Sequence, residues 1–227
     1  MFLVVDKRKL LISLGVILLV CLLGVTAVSL YCVVPKKDYV IVIDAGHGGG
    51  DGGVKGTVTG VSEAEINLLV AFSLKNKLEK RGARVVMTRE KNSVLDNGIG
   101  TKTDDFEKRK KIISQTVPDV VISIHQNKFP EAQYWGAQVF YSPNTEDSRA
   151  LAECVREKVV SLVQPTNKRE LKRGTDSVYL LYHAERPMVL VECGFLSNAE
   201  ELARLKDGVY RQKLAFAVAA GTMTYIG

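Results

Sequence analysis

Five short runs of β-branched and aliphatic residues, separated by longer stretches of helical periodicity, constrain this chain more than any other feature. The runs are Tyr39–Ile43, Arg84–Thr88, Asp119–Ile124, Ala137–Tyr141 and Met188–Val191. The helical stretches are Glu63–Arg81, Phe106–Gln115, Asp147–Val163 and Gly208–Tyr225. Strands that read as near-continuous apolar runs are buried on both faces, and their alternation with amphipathic helices predicts an α/β fold. The expected architecture is a mostly parallel twisted sheet with helices on both faces. The first helix carries its own start and stop signals. Ser62 is placed to cap it, with Glu65 completing a capping box. Ile66, Leu69, Val70, Leu74 and Leu78 form an inward stripe, and Gly82 ends it. Lys91–Asp105, Lys128–Gly136 and Gln164–Ser177 show no regular pattern and are expected to form the rim of a site.

Ahead of this pattern, Leu10–Pro35 contains no charged residue. About 20 apolar residues span a bilayer, so the segment predicts one N-terminal transmembrane helix. Lys7, Arg8 and Lys9 would hold its start in the cytoplasm and send the rest of the chain outside. The expected division is residues 1–37 as cytoplasmic tip and signal anchor, and 38–227 as one catalytic domain. A cleaved signal peptide ending near Ala27-Val28-Ser29 is the competing reading. The net charge of +6 is concentrated here: residues 1–37 carry five basic residues against Asp6 alone, leaving about +2 for the other 190. A basic excess that flanks an apolar segment gives no reason to expect nucleic-acid binding. The four cysteines make neither a disulfide framework nor a CxxC pair.

Three of the apolar runs lead straight into chemistry. Val40–Ile43 runs into Asp44-Ala45-Gly46-His47-Gly48-Gly49, Val120–Ile124 into His125-Gln126-Asn127, and Met188–Val191 into Glu192-Cys193-Gly194-Phe195. Open α/β sheets build sites at the carboxyl ends of their strands, so parallel neighbours would bring His47, His125 and Glu192 to one edge. Two imidazoles and a carboxylate can hold zinc with a coordination position left for water, and a further carboxylate is needed as general base. Glu63 and Glu192 supply the two acids, Glu63 from the first turn of its helix after the glycine-rich loop. No HExxH helix is present, which excludes a thermolysin-type centre.

Each residue also has a plainer reading. A single histidine is usually a hydrogen-bonded surface or core residue; His183, in a polar connection, is read that way. Glu63 alone would be a helix-dipole residue, and Cys193, next to Glu192 in a strand, a small buried one. Lys168, Arg169, Lys172 and Arg173 suit a solvated loop or stem-peptide carboxylates, and Tyr134 and Trp135 suit packing or a substrate groove.

Ile43-Asp44-Ala45-Gly46-His47-Gly48-Gly49, Ser62-Glu63, Ser123-Ile124-His125-Gln126-Asn127 and Val191-Glu192-Cys193-Gly194-Phe195-Leu196-Ser197-Asn198 together resemble the signature blocks of the zinc-dependent N-acetylmuramoyl-L-alanine amidases of the amidase-3 family. The resemblance covers residues 38–227 and extends to Met87-Thr88-Arg89 and Arg109. It is strongest to the spore-cortex branch, whose members strip stem peptides so that muramic-δ-lactam can form. The resemblance implies His47, Glu63 and His125 as zinc ligands and Glu192 as catalytic acid/base. Asn127 is expected to hydrogen-bond substrate or to orient the histidines. It further implies peptidoglycan as substrate, a lipoprotein activator as partner, and the forespore intermembrane space as location. Gln126 and the segment 177–181 depart from the family's usual pattern. A zinc peptidase cutting within the stem peptide, or a non-catalytic wall-binding module, are the other classes such a chain could represent.

Overall fold

The computed structural model describes the backbone of residues 7–33, 38–56, 60–91 and 102–227, with side chains except those of 25–33 and 102. Two compact units divide the chain, Met1–Lys37 and Asp38–Gly227. The first holds a single helix, α1 (Lys7–Val33). Among the described residues no helix is long and apolar enough to cross a membrane, so the span expected over Leu10–Pro35 is not found there. Lys7, Arg8 and Lys9 occupy the first turn of α1, and the side chains described in it end at Gly24. The rest of the expected span lies outside the described side chains.

The second unit is an α/β fold around a six-stranded sheet. Strands β1 (Val40–Ala45), β2 (Arg84–Met87), β3 (Val120–Asn127), β4 (Gln138–Tyr141), β5 (Lys172–Arg173) and β6 (Met188–Phe195) lie in the order β2-β1-β3-β6-β4-β5. The first four of that order are parallel; β4 runs antiparallel to β6 and β5 parallel to β4. The sheet is therefore mixed, with the reversed pair at one edge. The β5 strand and two short helices, α5 (Tyr179–Tyr182) and α6 (Ala199–Lys206), fall where no regular element was expected. The expected helices stand as α2 (Glu63–Glu79), α3 (Lys102–Thr116), α4 (Asp147–Leu162) and α7 (Gly208–Ile226).

Helices cover both faces unequally. The larger core joins Ile41, Ile43, Val120, Ile122, Ile124, Val189 and Val191 to α2, α4, α6 and α7. The smaller one joins Val42, Val121, Met188 and Leu190 to Leu181 of α5 and Ile113 of α3. Each fully buried aliphatic side chain contributes about 1.5–3 kcal/mol relative to exposure. The N-cap of α2 is as expected: Ser62 Oγ accepts from the Glu65 N–H at 3.3 Å. That cap fixes where α2 begins, and with it the position of Glu63, its first residue.

Candidate active site

Strand register builds the site. β1 and β3 pair through Ala45↔Ile124, and β3 and β6 through His125↔Glu192. His125 and Glu192 therefore lie side by side, inside the ladder rather than just beyond it. Both strands run longer than the apolar pattern implied, because parallel pairing continues through residues whose side chains face the groove. His47 follows β1 in a left-handed conformation, φ 58°, which is uncommon for a residue with a Cβ.

Glu63 is the hub. Its Oε1 lies 2.9 Å from His125 Nδ1 and accepts the Gln126 N–H at 3.0 Å; its Oε2 lies 3.2 Å from His47 Nε2 and accepts the Val54 N–H at 3.0 Å. Ligand atoms of His47, Glu63 and His125 all fall within 4.8 Å of one another, one donor from each residue. Two glycines make the approach feasible. A Cβ on Gly46 would meet the His125 ring at 2.2 Å, and one on Gly53 would meet Glu63 Oε2 at 2.4 Å. On its far side His47 Nδ1 lies 2.9 Å from Asp51 Oδ2. A carboxylate behind a histidine fixes its tautomer and leaves Nε2 as the free donor atom for a metal.

The two glutamates are in opposite electrostatic states. Burial alone would raise the Glu63 pKa, but hydrogen bonds and charge from His125 and His47 outweigh it and hold the carboxyl well below the usual range. Burial likewise works to lower the His47 pKa, and Glu63 and Asp51 reverse it to a net rise. Glu192 has no such support. Burial pushes it up to about 7, with the Glu63 charge adding to the rise and the two histidines opposing it. Its Oε2 is buried with no hydrogen-bond partner. A cavity of about 230 Å³ opens onto this carboxyl, bounded by His47, His125 and Asp51 and, across from them, by Phe106, Tyr179 and Leu181.

Part of the same cavity is lined by a buried network that sequence reasoning did not assemble. Asp44, 1% exposed, accepts from Thr88 Oγ1 (2.7 Å), Ser123 Oγ (2.6 Å) and Arg109 Nη1 (2.7 Å). Arg109 also donates to the carbonyls of Ala45 (2.8 Å) and His47 (2.7 Å) and to Asp105 (2.6 Å). Arg89 donates to the carbonyls of Ala45, Gly46 and Ala64. Two guanidinium groups thus hold three consecutive carbonyls, 45 to 47, and keep His47 in its left-handed conformation. The signals were present, since Ser123 interrupts an apolar strand and Asp44 ends one, but nothing in one sequence joins residues 44, 88, 109 and 123.

The remaining expectations are placed as follows. Asn127 closes β3 with its Oδ1 accepting the Lys128 N–H at 2.8 Å; it is not among the residues lining the cavity. Gln126 is buried, and its Nε2 donates to Asn67 Oδ1, while Asn67 Nδ2 donates to Gly46 O and, at 3.4 Å, to Glu63 Oε1. Cys193 is fully buried with its thiol pKa pushed far up by burial, which rules it out as a nucleophile. His183 is exposed against Tyr179, away from the metal-ligating cluster.

Comparison with known proteins gives the family of this chain. Residues 41–223 match the Amidase_3 family, described as N-acetylmuramoyl-L-alanine amidase. The chain is 33% identical over 196 residues to the germination-specific N-acetylmuramoyl-L-alanine amidase of Bacillus subtilis (strain 168), covering 84% of this chain and 81% of that protein. Among solved structures it is similar to the CwlD amidase from Clostridioides difficile in complex with the GerS lipoprotein. That similarity has a TM-score of 0.77 and 37% identity, over 83% of this chain and 98% of that one. It is also similar to an N-acetylmuramoyl-L-alanine amidase from Clostridium difficile 630, with a TM-score of 0.75 and 28% identity over 84% of this chain and 98% of that one.

Proposed function

The chain belongs to the Amidase_3 family of N-acetylmuramoyl-L-alanine amidases, and from that premise we propose that it is a zinc enzyme of the spore cortex, with His47, Glu63 and His125 as metal ligands and Glu192 as catalytic acid/base. The observation that carries this reading is the asymmetry around the cluster: three converged donors, and beside them a fourth carboxyl with a buried, unpartnered oxygen. Two imidazole nitrogens and one carboxylate are the donor set of a catalytic zinc centre with an open position. When bound, zinc supplies a Lewis acid for the amide carbonyl and lowers the pKa of water.

The protein's own part follows from its geometry. Glu192 sits next to His125 in register, so its carboxyl faces the same groove. Burial raises its proton affinity above that of an ordinary glutamate, which suits a group that accepts a proton and gives it back. The Glu192 carboxylate takes the proton of the water that attacks the lactyl carbonyl of N-acetylmuramic acid. The same carboxyl returns it to the nitrogen of L-alanine as the C–N bond breaks. Asp51 holds the His47 ring, and Asn67 with Gln126 holds Glu63, so neither ligand has to reorganise.

Similarity to the germination-specific amidase supports a role in cortex maturation, and the uncharged run Leu10–Pro35 behind Lys7, Arg8 and Lys9 supports a membrane anchor that holds the domain outside. Similarity to an amidase solved with a lipoprotein supports a lipoprotein partner for this chain. Mass spectrometry of digested cortex peptidoglycan tests the reaction. Intact stem peptides released from lactyl groups are expected; shortened peptides still attached to muramic acid would make the enzyme a peptidase instead.

A further inference from the structure

Phe129, Tyr134 and Trp135 are 43%, 39% and 38% exposed. They belong to the loop that leaves β3 two residues after His125, and the exposed surface they make is held in place rather than left loose. Phe129 and Tyr134 meet edge to face at 4.7 Å between ring centres. The Arg169 guanidinium lies 4.4 Å above the Phe195 ring and 5.8 Å from that of Tyr134, and its Nε donates to the Trp135 carbonyl at 2.8 Å. Glu201 clamps the loop to β6 by accepting from the N–H groups of both Gly136 (3.0 Å) and Phe195 (2.8 Å). Gly136, at φ 91°, lets the loop close on Asn167, where a Cβ would meet the side chain at 2.9 Å. None of these rings lines the cavity at Glu192.

Exposed aromatics grouped on a rigid loop mark a binding surface. The rings present π-faces that suit the C–H faces of pyranose sugars, and Arg169 adds donors for their hydroxyl, acetamido and lactyl oxygens. Position selects the occupant. Phe195 is three residues beyond Glu192 on β6 and pairs with Asn127 on β3, so the platform continues the edge of the sheet that carries the site. The cavity itself, about 230 Å³, is smaller than the roughly 300–1,000 Å³ that encloses a drug-sized ligand. A polymer with its scissile bond at Glu192 must lie mainly on surface outside that cavity.

We propose that Phe129, Tyr134, Trp135 and Arg169 form a platform for the glycan strand, binding sugars that flank the muramic acid under attack. The proposal rests on the amidase reading of the site. It makes the enzyme a reader of polymer, with the cleft taking the lactyl–alanine junction and the platform taking saccharide.

The full-length chain in detergent micelles provides the test, with two probes: glycan strands stripped of their stem peptides, and a soluble muramoyl-peptide fragment. Tyr134→Leu/Trp135→Leu keeps apolar bulk but removes two π-faces, and Arg169→Gln removes the cation. Co-sedimentation of each with the stripped strands should weaken by roughly tenfold, the scale of two lost aromatic contacts, while kcat/KM on the soluble fragment stays at the parent value. That unchanged turnover also reports correct folding. Undiminished binding to stripped strands overturns the platform. A parent enzyme that binds stripped strands but leaves the fragment uncut would instead count against the amidase reading.

Discussion

Arg109→Met tests how the histidine loop is held. In the parent chain the Arg109–Asp44 pair is almost fully enclosed, at 2% and 1% side-chain exposure. Removing one partner of such a pair leaves an uncompensated buried charge and costs about 3–5 kcal/mol. Arg89 remains near Asp44 and retains part of the compensating field, so the lower end of that range is expected. The pH dependence gives a second handle. Burial works to raise the Asp44 pKa, and Arg109 foremost, with Ser123, His125 and Thr88, brings it down from 3.8 to about 2. A depressed carboxyl stabilises the fold above its unfolded pKa, here by about 2 kcal/mol. That contribution is lost as pH falls from near 4 through 2. Without Arg109 burial is opposed more weakly, the pKa rises, and acid should relieve the defect instead of adding to it. Asp44→Asn in the Arg109→Met background removes the stranded charge and should recover a substantial part of the loss. Urea titrations of the four proteins at pH 7 and pH 4 measure the cycle. If the double variant is no more stable than Arg109→Met, the clasp is not held by charge and the account of His47 positioning fails.

Other substitutions separate the remaining roles. Glu192→Gln should keep zinc, measured by elemental analysis, and lose about 10²–10⁴-fold in turnover; near-normal turnover would make Glu192 structural. Glu63→Gln should lose zinc, because an amide is a weak, uncharged ligand, and retained stoichiometric metal would refute that assignment. In metal-free protein the raised His47 pKa contributes stability that is present below about pH 6.5 and lost as pH rises through the folded value. The chelated chain should therefore be relatively less stable at pH 8.5 than at pH 6, and a His47→Ala variant should flatten that difference. Val117, 57% exposed, ends α3 at φ 49° just before Pro118; Val117→Gly should stabilise by about 1 kcal/mol because a β-branched residue is strained there. Thermal denaturation showing no gain would mean that Val117 is not strained.

The elements visible in the sequence were those whose stability comes from burying a repeated pattern. β1 and β6 carry uninterrupted apolar runs, β3 carries one broken only by Ser123, and α2 and α7 carry long apolar stripes. Elements held by single contacts were not visible. β5 is two residues paired to β4, and α5 is one turn anchored by Leu181. α6 could have been found, because Asn198 followed by Glu200 and Glu201 is a capping sequence, and Asn198 Oδ1 does accept from both N–H groups. The site divides the same way. His47, His125 and Glu192 were legible because each ends an apolar run, and Glu63 because it follows a cap. Asp51 was not: it lies in a glycine-rich loop, and its part depends on the loop turning back so that the carboxyl reaches His47 Nδ1.

Residue type alone left the two acids interchangeable, and their surroundings distinguish them. Glu63 accepts backbone N–H groups on both oxygens and faces two imidazoles, so it is held as a carboxylate, the form a cation needs. Glu192 stands one strand further on, with one buried oxygen accepting nothing. Desolvation without compensation brings its proton affinity to the neutral range. Two carboxyls with pKa values pushed apart by environment mark a division between binding and proton transfer. A bound divalent cation would offset part of that rise, since its field favours the ionised form. In the proposed mechanism the Glu192 carboxylate is then the base before the amide bond is cut, and the leaving nitrogen accepts its proton afterwards. Exchanging the two environments, rather than the two residues, is what would exchange the roles. An Asn67→Leu/Gln126→Leu pair should loosen Glu63 and weaken zinc binding while leaving the Glu192 environment in place. Zinc affinity measured by competition with a chromogenic chelator reads that effect directly, and an unchanged affinity would mean that the backbone N–H groups of Val54 and Gln126 hold Glu63 unaided.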